Sequence, residues 1–329
     1  MFKGKKILIT GGTGSLGKAL AKKLLELDAD IVRIFSRNEN NQTTMESEFD
    51  DDRLRYFIGD VRDLPRLIKA MEDVDIVYHA AALKHVPVVE YNPFEAIKTN
   101  VLGSQNVIDA CLHEKVETAI CVGTDKAVSP LNTYGATKLL MEKLFVTASN
   151  YTNRERHKTK FIAIRYGNVL GSSGSVVPTL LKQIESGRNI TITDPNMTRF
   201  NITMNQALDF IIRSSKKGNG GEVFIPKLKA YSLGILKEAI LEVLEKDVKT
   251  ELISVRPGEK YHESLISSEE IRNTFEDKDD YVILEDSLQN NIKTKKSTLT
   301  NQYSSDVVEC LTKKELKKIL IEEKLVSTK

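Results

Sequence analysis

The feature that most limits what this chain can fold into is a glycine turn near its start, Gly11-Gly12-Thr13-Gly14-Ser15-Leu16-Gly17. The apolar run Lys5–Thr10 leads into it, and Leu16, Leu20, Leu24 and Leu27 follow at the spacing of one helix face. Glycines at 11, 14 and 17 between a strand and a helix allow a tight turn. They also let a pyrophosphate approach the backbone and the helix pack closely on the strand. The helix start then offers unpaired N–H groups to phosphate. The turn predicts a dinucleotide site lined by Gly11, Thr13, Gly14, Ser15, Leu16 and Gly17, although its GxxGxxG spacing differs from the commoner GxGxxG.

The next strand ends extend this reading. Ile31–Phe35 runs into Ser36-Arg37-Asn38, where an NAD-preferring site usually has a carboxylate. A hydroxyl and a guanidinium suit a 2′-phosphate instead, so NADP is the expected cofactor. Leu54–Ile58 precedes Asp60 and Val61, placed to read an adenine. Asp75–His79 precedes Ala80, Ala81 and Ala82, whose small side chains leave room for ribose or nicotinamide. Leu83–Pro87 reads as a polar turn carrying Lys84, which can reach cofactor or substrate. Pro93–His113 reads as one helix, with Asn100 facing the site or bonding the backbone. The alternation of strands and helices predicts an α/β fold with a doubly wound parallel sheet, its ligands beyond the strands' carboxyl ends. Residues 1–168 are expected to form the Rossmann cofactor domain, with a returning strand near 222–226. Residues 169–329 are expected to form a smaller α/β substrate-binding domain, with a mobile stretch at Ser287–Ser304.

The strand Ala119–Val122 delivers Thr124-Asp125-Lys126, and Tyr134 and Lys138 follow four apart on a helix face. A lysine ammonium beside a tyrosine lowers the phenol pKa, so a phenolate can take a hydroxyl proton while hydride leaves the same carbon. Thr124 can bond that oxygen. Tyr134 and Lys138 alone suffice for a ketoreductase or a sugar 4-epimerase. Asp125 and Lys126 add an acid and an amine suited to eliminating water across C5–C6 of a 4-ketohexose. That role asks for a partly neutral Lys126 and a protonated Asp125. A salt-bridged pair that steadies the turn is the plainer alternative.

Bulk properties fit a soluble enzyme. The 329 residues carry a net charge of +2, which gives no support to nucleic-acid binding. Cys111, Cys121 and Cys310 are odd in number and form no CxxC, so they read as thiols in a reducing compartment rather than metal ligands. The start is too short in apolar residues for a signal peptide or a membrane span, which makes the cytoplasm the expected location.

Over nearly its whole length the chain resembles the extended short-chain dehydrogenase/reductases. Within them it is most similar to the inverting UDP-N-acetylglucosamine 4,6-dehydratases that open the pseudaminic acid pathway. The motifs that carry the resemblance are GGTGSLG, FSRNE, FIGDVRD, HAAALKHVPVVEYNPFEAIKTNVLGSQNVIDA, TDKAVSPLNTYGATKL, RYGNVLGSSGSVVP, ITDPNMTRF and VRPGEKYHE. The resemblance implies Asp125, Lys126 and Tyr134 as catalytic residues, with Lys138 supporting the tyrosine and an NADP cofactor. It implies a UDP-sugar pocket lined by Lys84, Asn168, Val169, a strand-like Ser175, Val176 and Val177, then Arg199, Arg256 and Glu259. A homo-oligomer, up to a hexamer, is implied on the same ground. Retaining dTDP-glucose dehydratases have Asp-Glu where this chain has Asp-Lys, and capsule-type relatives often lack the tyrosine. Asp277–Gln302 matches less clearly. Two alternatives stay open: a UDP-sugar 4-epimerase or reductase, and a non-catalytic NADP sensor.

Overall fold

The computed structural model describes residues 1–151, 157–172, 174–284 and 295–326. The first half alternates as expected: β1 (Lys6–Thr10), α1 (Ser15–Glu26), β2 (Ile31–Ser36), α2 (Glu39–Phe49), β3 (Leu54–Ile58), α3 (Leu64–Met71) and β4 (Ile76–His79). Then α4 (Val86–Tyr91) precedes α5 (Pro93–Ala96), which runs through a π-helical turn (Ile97–Leu102) into α6 (Gly103–His113). β5 (Thr118–Val122), α7 (Thr133–Tyr151) and β6 (Lys160–Ile164) complete this half. The second half holds α8 (Val176–Glu185), β7 (Ile190–Ile192), β8 (Thr198–Phe200), α9 (Met204–Lys217) and β9 (Glu222–Pro226). It continues with β10 (Ala230–Ser232), α10 (Leu233–Val243), β11 (Thr250–Leu252), β12 (Ser264–Ile266), β13 (Thr274–Glu276) and β14 (Asp280–Leu284). β15 (Lys295–Lys296), β16 (Tyr303–Ser304) and α11 (Lys313–Glu322) end the described chain.

The main sheet has the order β15-β13-β14-β9-β6-β5-β4-β1-β2-β3. From β3 to β9 every pairing is parallel, and β14, β13 and β15 add an antiparallel margin. Strand order reverses between β1 and β4, the switch point where open α/β sheets bind ligands. β4 and β5 are buried at every position, as strands covered on both faces must be. One apolar core includes residues of α1 and α9, and a second includes residues of α3, α6 and α7. A third core joins α8, α10 and α11 around β7, supporting the loops above the sheet.

Three local expectations change. Leu83–Pro87 is a turn only up to His85, because α4 starts at Val86 and accepts Pro87 in its first turn, where no backbone N–H is needed. The same tolerance of Pro178 lets α8 begin at Val176, so Ser175–Val177 is a helix start rather than strand-like. The single helix over Pro93–His113 is interrupted by the π turn at 97–102, which widens the coil around Thr99 and Asn100. Ser173 and residues 287–294 of the stretch expected to be mobile lie outside the described residues.

Candidate active site

Close packing aims the rim residues. A side chain on Gly17 would meet the Gly12 carbonyl oxygen at 2.5 Å, so only glycine lets α1 start against its own turn. At the end of β5, Gly123 donates to the Ile164 carbonyl at 2.7 Å, and a Cβ there would lie 2.5 Å from that oxygen. This close approach of β5 to β6 sets Thr124 on the rim as the cap of a short 3₁₀ turn, Asp125–Ala127, that carries Asp125 and Lys126.

Every residue assigned above to the cofactor lines one cleft of about 510 Å³ that runs from the glycine turn to Tyr134 and Lys138. A second cavity of about 670 Å³ is lined by Lys84, Asn168, Ser175, Val176, Arg199, Arg256 and Glu259. Thr124, Tyr134, Lys84 and Asn168 line both, so the two spaces meet at the phenol. Both volumes fall in the range of small-molecule sites. Three residues sit elsewhere than expected. Val169 lines the cofactor cleft, Val177 points into the third core at 1% exposure, and Asp125 is fully buried and lines neither space.

Arg37 is exposed at the mouth of the cofactor cleft, with its Nη1 4.0 Å from Asp60. Asp60 is gripped by Arg62, whose Nη2 lies 2.7 Å from its Oδ2. Burial raises the Asp60 pKa, but the Arg62 hydrogen bonds prevail and hold it below the ordinary carboxylate value. Asp60 is thus an anion already paired, with Arg37 beside it. Asn100 bonds the backbone: it accepts from the Leu83 N–H at 2.8 Å, donates to the Leu83 carbonyl at 3.0 Å and donates to Thr137 at 3.0 Å. It staples the segment after β4 to α7.

Lys126 is the centre of the set. Its Nζ lies 3.1 Å from Asp125 Oδ1, 3.1 Å from Glu263 Oε1 and 3.2 Å from Asn168 Oδ1. An ammonium has three N–H donors, and here it finds three acceptors. Burial works against the charge, but the Asp125 and Glu263 carboxylates outweigh it and raise the Lys126 pKa. This corrects the expectation of a partly neutral Lys126. For Asp125, burial, with the Glu263 charge adding to it, raises the pKa despite Lys126. Glu263 goes the other way, since Lys126 and Arg199 overcome burial and lower it.

The phenol is also corrected. Burial raises Tyr134 to about 12, and the largest opposing influence is Lys126, not Lys138. Lys138 donates to the Val122 carbonyl at 2.5 Å, and burial lowers it to about 8. A phenolate at neutral pH therefore needs further positive charge beside Tyr134, and a bound nicotinamide cation would supply it. The Thr124 hydroxyl hydrogen-bonds the phenol, a contact within the protein and not the substrate bond expected of it.

Sequence reasoning missed Glu263, Lys260 and Asn132 as site residues. All three line the second cavity. Asn132 accepts from Gly135 N–H at 2.8 Å at the start of α7 and donates to the Gly258 carbonyl at 2.8 Å, tying the helix to the Arg256–Lys260 loop. The signals were the motif VRPGEKYHE, which holds Lys260 and ends on Glu263, and TDKAVSPLNTYGATKL, which holds Asn132. Among the described residues there is no cluster of three His, Cys, Asp or Glu side chains able to hold a metal. Nor is any helix there long and apolar enough to cross a membrane. Cys111 and Cys121 are buried free thiols, and Cys310 is exposed.

Comparison with known proteins agrees with this picture. The model of the family described as "Polysaccharide biosynthesis protein" matches residues 7–285. A Methanocaldococcus jannaschii protein named an uncharacterized membrane protein is 44% identical, over 98% of this chain and 96% of that one. An inverting UDP-N-acetylglucosamine 4,6-dehydratase of Campylobacter jejuni is 49% identical, over 86% of this chain and 84% of its own. A UDP-glucose 4-epimerase of Rickettsia massiliae is 40% identical, over 98% and 96%. The X-ray structure of Pen from Bacillus thuringiensis superposes with a TM-score of 0.92 at 41% identity, covering 99% of both chains. With its enzyme relatives divided between dehydratase and epimerase and its fold shared almost end to end, the chain belongs to the polysaccharide biosynthesis protein family, as an enzyme of its nucleotide-sugar dehydratase and epimerase group.

Proposed function

We propose that the protein is an NADP-dependent, C5-inverting UDP-N-acetylglucosamine 4,6-dehydratase. The observation that carries this reading is Lys126, held between Asp125 and Glu263 beside Tyr134 where the two cavities meet. A 4-epimerase needs a phenol and a hydride acceptor. It has no use for a buried acid, base and cation beyond them. The 49% identity to a dehydratase of that name supports the same side.

The residues present fit a nicotinamide dinucleotide: a glycine turn too tight for side chains, a helix start for the pyrophosphate, and Arg37 for a 2′-phosphate. Bound NADP would accept the C4 hydride and return it to C6. Tyr134 takes the O4 proton during C4 oxidation. The resulting ketone acidifies the C5 proton, and a base of the Lys126 cluster removes it. The C5 electron pair forms the C5–C6 double bond as the C6 hydroxyl leaves, protonated to water. A proton arriving at the opposite face of C5 inverts that centre. Arg199 and Arg256 offer bidentate donors for the UDP diphosphate, and Lys84 a further cation where the cavities meet.

The test is the enzyme with UDP-N-acetylglucosamine in D₂O, with the product read by NMR. A 4-keto-6-deoxy sugar deuterated and inverted at C5 is expected. Unlabelled UDP-N-acetylgalactosamine would instead establish the epimerase reading, to which the Rickettsia relative points. The same reaction with NAD in place of NADP should be slower, and equal rates would remove the NADP part.

A homo-oligomer belongs to the proposal. Val88, Tyr91, Phe94, Ile97, Leu102 and Leu140 are exposed on α4, α5, the π turn and α7, elements that pack against one another, and Tyr91 is 89% exposed. Apolar side chains gathered in this way mark an interaction face. Sedimentation should show an oligomer that Tyr91→Glu with Phe94→Glu dissociates; a wild-type monomer at micromolar concentration would count against it.

A further inference from the structure

We infer that Glu263 is the catalytic base that meets C5 of the sugar, and that Asp125, behind Lys126, is a positioning residue. This rests on the dehydratase reading above. Three geometric observations carry it. First, Glu263 lines the second cavity together with Lys126, Tyr134 and Arg199, whereas Asp125 lines neither cavity. Asp125 Oδ2 is turned towards Gly167, where an added Cβ would come within 3.3 Å of it. Second, Glu263 is 2% exposed and its Oε2 has no hydrogen-bond partner among the described residues. Asp125 Oδ2 is unpartnered too, but it faces Gly167, whereas the free oxygen of Glu263 belongs to a residue on the cavity wall, where a ligand can come to it. Third, Glu263 is fixed in place from its backbone. Its N–H donates to Ser305 Oγ at 2.9 Å, and Ser305 Oγ donates to the Thr198 carbonyl at 3.2 Å. The preceding His262 pairs with Thr198 of β8.

Charge agrees with geometry. The groups that face Glu263 are Lys126, Arg199 and Lys260, with Asp125 beyond the lysine. The three cations favour the ionised form of Glu263, and its charge in turn raises the Asp125 pKa. In the elimination, Glu263 takes the C5 proton and the C5–H electron pair becomes the C5–C6 double bond. The C6–O bond breaks and Lys126 gives the leaving oxygen its proton. Glu263 then returns a proton to Lys126 across their 3.1 Å contact, so the pair ends as it began. Among the described residues the Asp125 carboxyl accepts hydrogen bonds from Lys126 and Thr124, and it acts by holding the ammonium in line.

The test uses the full chain with NADP and UDP-N-acetylglucosamine in D₂O, comparing wild type, Glu263→Gln and Glu263→Asp. In Glu263→Gln, reduction of the cofactor on adding sugar should persist, while C5 deuteration and 6-deoxy product fall at least about a hundredfold, the range of a lost general base. Glu263→Asp should recover part of that loss, which a packing role would not. Product formation by Glu263→Gln within tenfold of wild type would overturn the inference. So would a loss of cofactor reduction in step with product, since that marks a structural residue. If wild type itself gives only the C4 epimer, the dehydratase reading falls and this inference with it; wild-type dehydration with an unaffected Glu263→Gln sinks this inference alone.

Discussion

Lys126→Met is expected to lower formation of the 4-keto-6-deoxy product by about a thousandfold, within the range general acid–base groups contribute. The size follows from how many neighbours depend on this one cation. Glu263 and Asp125 are both buried, and Lys126 is the largest influence lowering the pKa of each. Without it the acids share a low-dielectric space as like charges, and a carboxylate base is lost to protonation. Lys126 is also the largest influence holding down the Tyr134 phenol. Its removal therefore raises a pKa that burial has already put at about 12, so C4 oxidation in the variant should slow at neutral pH and recover as pH rises towards about 10. Elimination should not recover with it, because no group replaces the proton donor. Cofactor reduction and product, followed separately across that range, distinguish the two losses. A variant whose elimination also revives at alkaline pH would show that Lys126 acts only through Tyr134. Methionine matches the lysine stem in length, which keeps the packing beneath the lost charge.

The fold was readable because its signals are local. A glycine turn between an apolar strand and an amphipathic helix has few meanings, and its repetition with small or polar strand ends on one rim identifies the sheet. The cofactor cleft is lined by the residues assigned from those strand ends because each assignment needed only its own strand and the next few residues. What sequence could not give was the relation between distant segments. Asp125 and Lys126 are adjacent and invite reading as an isolated pair. The third member, Glu263, arrives only because β8 pairs with His262 and Ser305 holds the next backbone N–H. With it the lysine changes from a prospective neutral amine to a fixed ammonium. The same limit explains Tyr134, whose pKa is set by burial under several elements rather than by its neighbour one turn on. Val177 was misplaced for a smaller reason: the valines after Ser175 resemble a strand, but Pro178 can occupy a helix's first turn as easily as a loop. The antiparallel margin β13–β15 was not foreseen at all. Its strands are two to five residues long and too short to show a period.

Arg165→Met is expected to destabilise the protein by roughly 3–5 kcal/mol, the cost of removing one partner from a buried charge cluster. Arg165 follows β6 and is completely buried. Its guanidinium forks onto Glu142, with Nε 3.0 Å from Oε2 and Nη2 2.5 Å from Oε1. It forks again onto Glu270 at 3.0 and 2.9 Å, and Nη1 also donates to the Leu265 carbonyl at 2.8 Å. Glu142 lies one turn beyond Lys138 on α7, and Leu265 and Glu270 belong to the segment just after Glu263. One side chain thus fixes the helix of the phenol against the strand that follows the proposed base. Removing it leaves Glu142, 1% exposed in its side chain, sealed in the core without a counter-ion. The pH dependence has a definite sign. Burial raises the Glu270 pKa, but Arg165 prevails and holds it below the ordinary value, so its contribution is present at neutral pH and fades as pH falls through the lowered folded value. In Arg165→Met the half-buried Glu270 loses its counter-ion and keeps only its hydrogen bonds from Ser267, so protonating it costs the variant less than it costs the wild type. The gap in melting temperature, on the order of 10 °C near pH 7, should narrow below about pH 4.5. Arg165→Lys should recover little, because a single ammonium cannot reproduce two forks. Replacing Glu142 by Leu in the Arg165→Met background should restore much of the stability. A gap that stays constant with pH would mean that the loss is one of packing volume and not of charge.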